Sequence, residues 1–440
     1  MGSRMTYLTL PPTLCSLLKL KNHYRRRYQR IRLPIIITCP KVFSTQLSRL
    51  QNTKWASFLR TLHPQSSQFW KIAHYFMKPT LSIPPLIQHG KLVFHTPLKV
   101  EELARQFEQS HHLTLNMGTN NHSLAITRSV NRFFRRTTPQ NPQPQLTNHY
   151  EVRRKILSLK PQAALGEDGI TSIMPCNLSG KALTYLTQLF NHLLSFGFFP
   201  NTWKRAKIIP IPKPNKPTMD PNSYRPISLL SIVGKLFEQI IASQLITYIN
   251  QQHLLPHEQF GFRKKHSTVS QLSQISNYIS NGYNLHKHSG MVLLDLEKAY
   301  DTVWIHGLLH KLISLKLPKY LIFILRAFLE GRSFTVHLND ASSTPKNIPS
   351  SLPQGAVLST TLFAIYISDM SHPPNTQLAL YADDTAFLMH SWQNDTIAQQ
   401  LIHCMTMLHR HFTKWKLRVN INKTEATLFT KRRPATLIPL

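Results

Sequence analysis

The sequence predicts an α+β fold in which a ferredoxin-like sheet is backed by helices, and three observations carry that prediction. From about residue 151 onward, short apolar runs of strand length alternate with segments of helical period. The pieces follow the order strand, helices, hairpin, helix, strand, which a split β-α-β arrangement requires. The hairpin carries two adjacent acids at its tip, in a chain of 440 residues whose 19 Asp and Glu are outnumbered by 52 Lys and Arg. Where acids are so few, the position of each is informative.

Taken in order, residues 1–150 form a basic, Pro-rich N-terminal region expected to be mostly helical or disordered, with a Pro-rich linker at 137–145 (T-T-P-Q-N-P-Q-P-Q) that cannot fold regularly. Residues 151–290 and 291–440 divide the remainder. Met291–Leu294 is a continuous apolar run, short enough for a buried strand, leading into Asp295. Leu308, Leu309 and Leu312 make a helical stripe stopped by Pro318, and Leu321, Leu325, Phe328 and Leu329 repeat it up to Gly331. Leu358, Leu362, Ile365 and Tyr366 share one face of a further helix. Leu378–Tyr381 and Ala386–Met389 flank Asp383 and Asp384 as the arms of a hairpin. Behind a cap at Asn394 or Asp395, Ile397, Leu401, Cys404, Leu408 and Phe412 then keep a single face over four turns.

Composition narrows the function. A formal charge of +33 calls for a polyanionic partner, and nucleic acid is the obvious one. Basic clusters lie at Arg25–Arg32, around Phe133 and Phe134 (Arg132, Arg135, Arg136), at Arg263, Lys264 and Lys265, and at Lys431–Arg433. No apolar run reaches the ~18 residues of a membrane span, so no membrane partner is expected and the location is read as intracellular, in nucleus and cytoplasm. Cys15, Cys39, Cys176 and Cys404 show no zinc or disulfide spacing and read as buried small hydrophobes. The first acid is Glu101; an acid-free start also fits an organellar transit segment by composition, but Pro11, Pro12 and Pro34 interrupt the helix such a segment needs.

Asp295 at the end of one strand and Asp383 and Asp384 at the tip of a hairpin would meet if the strands were neighbours in one sheet. Three carboxylates so placed repel one another unless a cation lies between them. Read alone, Asp383 and Asp384 fit an ordinary Asp-rich turn as well, and Asp295 fits a helix cap.

Seven blocks then stand in a fixed order: L-G-E-D-G-I (Leu165–Ile170), S-Y-R-P-I-S-L-L (Ser223–Leu230), Q-F-G-F-R-K-K-H-S-T (Gln259–Thr268), L-D-L-E-K-A-Y-D-T-V (Leu294–Val303), L-P-Q-G-A-V-L-S (Leu352–Ser359), Y-A-D-D-T (Tyr381–Thr385) and N-I-N-K-T (Asn420–Thr424). The series resembles the reverse transcriptase of non-long-terminal-repeat retrotransposons, especially the jockey-like elements of insects. That resemblance implies a right-hand polymerase, with fingers (and part of the palm) in 151–290 and a ferredoxin-like palm in 291–440. It implies an RNA-directed DNA polymerase that adds deoxynucleotides to a primer hydroxyl with two Mg2+ ions, for which Mn2+ can substitute. Its partners would be an RNA template, a DNA primer and deoxynucleoside triphosphates; nothing in the sequence fixes an oligomeric state.

Carried over by position, the resemblance makes Asp295 and Asp383 the principal metal ligands, with Asp384 assisting and Leu296 offering its backbone carbonyl. Lys423 would protonate the leaving pyrophosphate. Arg225 and Lys213 would hold the triphosphate, Tyr300 would exclude a ribose 2′-hydroxyl, and Gln354 and Gly355 would line the nucleotide. Asp301 reads as structural. Arg263, Lys264 and Lys265 would grip template phosphates, and the stretch from Lys54 to Phe107, with Trp55 and Trp70, resembles the family's connector, the acid-free start serving as a template-binding arm.

Some positions depart from the family pattern. Leu165 and Glu167 replace two prolines of the first block, Ser351 and Leu352 stand where Gly-Val is usual, and Thr360 replaces a proline. No endonuclease block precedes the polymerase, and the chain stops about seventeen residues after Lys423, before the primer grip and thumb, so a truncated copy with impaired activity is expected. The alternative is a non-catalytic nucleic-acid-binding remnant.

Overall fold

The computed structural model describes residues 83–431 apart from 89–90, 113–120, 138–143, 162, 262, 264–265 and 371–372, together with a few residues between 53 and 70. Expectations for Cys15, Cys39, Arg25–Arg32, Trp55, Lys264, Lys265, Arg432, Arg433 and the middle of the 137–145 linker lie outside the described residues. Residues from Ile83 onward form one compact unit, distinct from Met1–Ser82.

The mixture of helices and sheets is that of an α+β protein. A hairpin of β1 (Leu86–Gln88) and β2 (Lys91–Val93) leads into α1 (Thr96–His112), α2 (Asn121–Arg136), α3 (His149–Leu157) and α4 (Gly180–Phe196). Strands β3 (Arg205–Pro212) and β4 (Tyr224–Leu229) precede α5 (Ile232–Gln251) and α6 (Thr268–Asn284). Then come β5 (His288–Leu294), α7 (Ile305–Ser314), α8 (Lys319–Leu329), β6 (Arg332–Leu338), β7 (Ala341–Ser342) and β8 (Lys346–Ile348). The last elements are α9 (Val357–Tyr366), β9 (Thr376–Tyr381), β10 (Asp384–Ser391), α10 (Asn394–Lys414) and β11 (Glu425–Phe429).

Local chemistry sets many of these boundaries. Asn148, Ser179, Ser231 and Ser267 each accept a hydrogen bond from a backbone N–H in the first turn of the helix that follows, satisfying a donor that would otherwise be orphaned. Gly197 closes α4 in the left-handed conformation. The start of α10 differs from the sequence expectation. Gln393 is its N-cap, and Asn394 and Asp395 are already helical, with no side-chain cap bond. Asp395 contributes there only as a negative charge in the first turn.

Two sheets organise the unit. One runs β11-β5-β10-β9 with every neighbouring pair antiparallel, and the other runs β4-β3-β6-β7 with β8 also on β6 and β3 parallel to β6. In the first sheet, strands numbered by sequence order therefore stand 4-1-3-2, because the chain crosses behind the sheet between β5 and β9 and again through α10. Helix α10 covers one face, where Ile397 and Leu401 pack so closely that a side chain at Gly290 would meet Ile397 at 2.3 Å. Helix α6 covers the other, its Ile275, Tyr278 and Ile279 packed on Ala379, Ala386, Leu388 and Met291.

This explains a departure from the expected buried strand at Met291–Leu294. Val292 and Leu294 are buried, but Leu293 is 38% exposed, because α6 does not reach over the end of β5. The uncovered end of the sheet is where the acids stand. Cys404 is buried in α10 as expected, whereas Cys176 is exposed, because it closes a single helical turn, Ile173–Cys176, lying on the surface. Among the described residues, no helix is long and apolar enough to cross a membrane.

Candidate active site

Register brings the distant acids together. Thr385 pairs with Leu294, so Asp384, the residue before it on β10, stands opposite Asp295, the residue after Leu294 at the end of β5. Asp384 also pairs with Tyr381 on β9, leaving Ala382 and Asp383 as the two-residue tip of the hairpin. Partial burial first, then the charges of Asp383 and Asp295, push the Asp384 carboxyl above the usual carboxylate range, while Lys423 opposes the shift. All three carboxylates thus share one electrostatic neighbourhood.

Asp295 is held from the C-terminal side. Its carbonyl accepts from Asn420 N at 2.8 Å, and its Oδ2 accepts from Asn420 Nδ2 at 3.3 Å and from Lys423 Nζ at 3.0 Å. Leu296 forms a bridge with Val419, which lays the Asn420–Lys423 turn beside the acids.

Two clefts, each of about 630 Å3, meet at this point. Asp295 and Lys423 line both, Asp383 lines one and Asp384 lines the other. The cleft at Asp383 also contains Lys213, Arg225, Lys298, Tyr300 and Gln354. The cleft at Asp384 has an apolar wall from α6 and the exposed end of β5, with Leu272, Ile275 and Leu293.

In the Asp383 cleft, Arg225 is exposed and its guanidinium makes no hydrogen bond or ion pair among the described residues. Lys213 donates to the Asn222 carbonyl at 2.8 Å. Burial, then the charges of Lys298, Arg225, Lys216 and Lys423, lower its pKa. Tyr300 stacks on Phe363 with centroids 4.8 Å apart, and burial together with the Asp383 charge holds its hydroxyl protonated far above neutrality. Asp301 is buried behind it; burial raises its pKa, and its Oδ1 accepts from Gln354 Nε2 at 3.1 Å. Gly355 adopts φ +100, a conformation that suits glycine, and a β-carbon there would stand 3.2 Å from the Ser228 carbonyl oxygen. Arg263 turns to its own loop, donating to the carbonyls of Pro256 at 2.9 Å and Gln259 at 3.2 Å.

Sequence reading missed the residue that fixes the hairpin tip. Phe260 N donates to Leu380 O at 2.9 Å and Leu380 N to Glu258 O at 3.0 Å, so the Gln259 block is laced onto the edge strand β9. Fully buried Gln259 then accepts through Oε1 from Gly261 N at 2.8 Å and Ala382 N at 3.3 Å. Gly261 sits so close to the tip that a β-carbon there would stand 2.2 Å from Ala382 N. The tip needs such support, since Ala382 is held at φ 58, where an L residue is strained. Gln259→Ala is expected to cost about 2 to 3 kcal/mol through the unsatisfied N–H groups. A urea midpoint equal to that of the unsubstituted protein would refute this role.

Ser351 shows what one departure from the family pattern does. It adopts φ 145, a region almost confined to glycine, and its buried hydroxyl has no hydrogen-bond partner. Ser351→Gly is expected to raise stability by about 1 to 2 kcal/mol, as strain and the orphaned hydroxyl are removed against a greater loss of chain entropy. A urea midpoint that fails to rise would show the loop to be unstrained.

The donors suit a hard cation, being carboxylate oxygens with a backbone carbonyl nearby. Among the described residues, no group of three or more His, Cys, Asp or Glu side chains stands ready to hold a metal ion by itself. Magnesium does not require one, since it commonly binds one or two carboxylates and completes its shell with water and substrate phosphate.

Residues 211–437 match the family described as reverse transcriptase (RNA-dependent DNA polymerase). The chain is 31% identical to an RNA-directed DNA polymerase from mobile element jockey of Drosophila funebris, over 96% of this chain and 47% of that protein. Its similarity to the jockey polymerase of Drosophila melanogaster is 30%, over 97% of this chain and 48% of that protein. A probable RNA-directed DNA polymerase from transposon BS of Drosophila melanogaster is 35% identical over 66% of this chain and 32% of its own length. The chain thus spans half or less of the length of these relatives.

Proposed function

The chain belongs to the reverse transcriptase (RNA-dependent DNA polymerase) family, and on that premise we propose that the two clefts meeting at Asp295 form the polymerising centre of an RNA-directed DNA polymerase. The sheet β11-β5-β10-β9 with α6 and α10 is the palm, and residues 151–290 supply the fingers and part of the palm. The observation that carries the reading is the sharing of Asp295 and Lys423 between a cationic cleft at Asp383 and an apolar cleft at Asp384. A nucleotide in the first and a primer terminus in the second would bring the reacting groups together at the acids.

Asp295 and Asp383, with Asp384 and the Leu296 carbonyl, are the groups to hold magnesium. The chemistry that a magnesium pair supplies when bound is activation of the primer hydroxyl and neutralisation of the triphosphate. Arg225 presents a guanidinium fork to phosphate oxygens, and Lys213 adds a point charge beside it. The Tyr300 ring, fixed by Phe363, occupies the cleft wall where a ribose 2′-hydroxyl would intrude. Gln354 and Gly355 form the loop opening α9, with Gln354 tied to Asp301. Lys423 Nζ donates to Asp295 Oδ2, a position from which it can deliver a proton to a leaving group. Arg263 braces its own loop through Nη1, and the guanidinium remains the group of that loop to meet template phosphates.

The test is extension of a DNA primer on an RNA template by the full chain, with magnesium and with chelator. Magnesium-dependent incorporation of deoxynucleotides is expected. Tight, salt-sensitive template binding without any incorporation would overturn the catalytic reading in favour of a binding remnant.

A further inference from the structure

Helix α1 lies outside residues 211–437, yet it builds one wall of the cationic cleft through Gln106, Phe107, Ser110 and His111, spaced so as to share a helix face. Its attachment is firm. Val100, Leu103, Ala104 and Phe107 are buried, Glu101 pairs with Lys346 at 2.9 Å and accepts from Thr344 Oγ1 at 2.7 Å, and Ser350 donates to the His111 carbonyl.

Two cations of the cleft depend on this helix. Lys298 Nζ donates to Ser110 Oγ at 2.8 Å, and Ser110 in turn donates to the Gln106 carbonyl at 3.1 Å, so the hydroxyl is fixed in both roles. Gln106 Nε2 donates to Asn222 Oδ1, and the carbonyl of the same Asn222 receives Lys213 Nζ. Lys298 also sits at a backbone corner with φ 49, where its carbonyl accepts from Asp301 N and Thr302 N, so the stem of the side chain starts from a fixed point.

Lys213, Lys216, Arg225, Lys298 and Lys423 thereby crowd one cleft, and their mutual repulsion contributes to the lowered pKa of Lys213. A strongly anionic ligand relieves that repulsion. A lysine held to a neutral hydroxyl is not paired with a carboxylate there and keeps its remaining N–H donors for such a ligand.

We propose that Lys298 binds the triphosphate of the incoming nucleotide together with Lys213 and Arg225, and that Ser110 and Gln106 of α1 are positioning residues that hold Lys298 and Lys213 for it. The proposal rests on the polymerase reading but is decided by nucleotide binding, which can be measured without turnover. Ser110 and Gln106 touch no reacting atom. They act by removing the freedom of two long side chains before the ligand arrives.

The experiment compares the full chain with Lys298→Met, Ser110→Ala, Gln106→Ala and Ser110→Thr. Equilibrium binding of dTTP and dTMP with magnesium is measured alongside KM and kcat for dTTP on a primed RNA template. Lys298→Met is expected to weaken dTTP binding by tenfold or more, and Ser110→Ala and Gln106→Ala by several-fold, about the net effect of one ordinary hydrogen bond. Affinity for dTMP should stay within twofold, KM should rise with kcat little changed, thermal midpoints should hold, and Ser110→Thr should restore dTTP binding. Unchanged dTTP affinity in Lys298→Met and Ser110→Ala would overturn the proposal, as would equal losses for dTTP and dTMP or losses that track a fallen thermal midpoint. If the unsubstituted chain shows no incorporation, the polymerase reading fails on its own, while the dTTP and dTMP affinities still decide the role of α1.

Discussion

Asp383→Asn and Asp295→Asn are each expected to lower single-turnover incorporation by about a thousandfold, the loss that follows from removing one preorganised charge that acts at the transition state. The amide keeps the shape of the carboxylate but not its charge, so a divalent cation is held more weakly at the junction of the two clefts. Unfolding does not explain such a loss. Burial and then the charges of Asp383 and Asp295 raise the Asp384 pKa, so neutralising one of these neighbours removes a repulsion from the native state. The Lys423 partner of Asp295 is mostly solvent-exposed and contributes little to stability. Thermal midpoints should therefore hold or rise while incorporation collapses. Asp384→Asn is expected to be milder, about tenfold, because Asp384 lines the apolar cleft, away from the cations of the Asp383 cleft, and assists Asp295 and Asp383 in holding the ion. Three variants incorporating nucleotides as fast as the unsubstituted chain would remove the acids from the mechanism.

Glu238→Ala is expected to have the largest effect on stability, roughly 3 to 4 kcal/mol, because it leaves a buried backbone N–H unsatisfied and a void where the side chain stood. Glu238 is almost wholly buried in α5, and its Oε2 accepts from Val357 N at 2.7 Å, so a carboxylate answers the N-terminus of α9. Arg332 is also buried. Its Nη1 donates to Phe328 O at 3.0 Å and its guanidinium lies over the Phe328 ring, but its Nε and Nη2 have no hydrogen-bond partner. Burial pushes Glu238 up and Arg332 down to about 10, and in each case the charge of the other opposes the shift. Removing the carboxylate takes away a charge that offsets the burial of the guanidinium and uncaps α9 together. Adding Arg332→Met to Glu238→Ala should recover part of the loss, because the uncompensated charge goes with it. Urea unfolding of the two single variants and the double variant measures this, and additive losses would show that the two groups do not interact. Since α9 follows directly on Gln354 and Gly355, Glu238→Ala should also raise KM for the nucleotide in whatever fraction remains folded.

The acids were legible in the sequence because each sits at an element boundary that local chemistry sets. An apolar run ends at Asp295, and two apolar runs flank Asp383 and Asp384, so period and polarity alone place them at a strand end and a hairpin tip. The bracing of that tip was not legible. Gln259 looks like any polar residue in a basic loop, and only the pairing of its neighbours with Leu380 brings its side chain to Ala382. Nor was it legible that the turn of the same loop brings Arg263 Nη1 to the carbonyls of Pro256 and Gln259. The capping of α10 went astray for a related reason. Asn394 and Asp395 favour a cap by type, but the bend at Trp392 and Gln393 starts the helix one residue earlier.

By itself, then, the sequence determined the alternation of helices and strands, the positions of Asp295, Asp383 and Asp384, and the excess of positive charge, since periodicity and charge are properties of a chain read in one dimension. Only the tertiary structure decided that α1, more than 180 residues before Asp295, walls the same cleft, and that Glu238 answers both the start of α9 and the charge of Arg332. Such pairings join residues far apart along the chain. They follow from the packing of whole elements, and no local pattern of residues encodes which of them will meet.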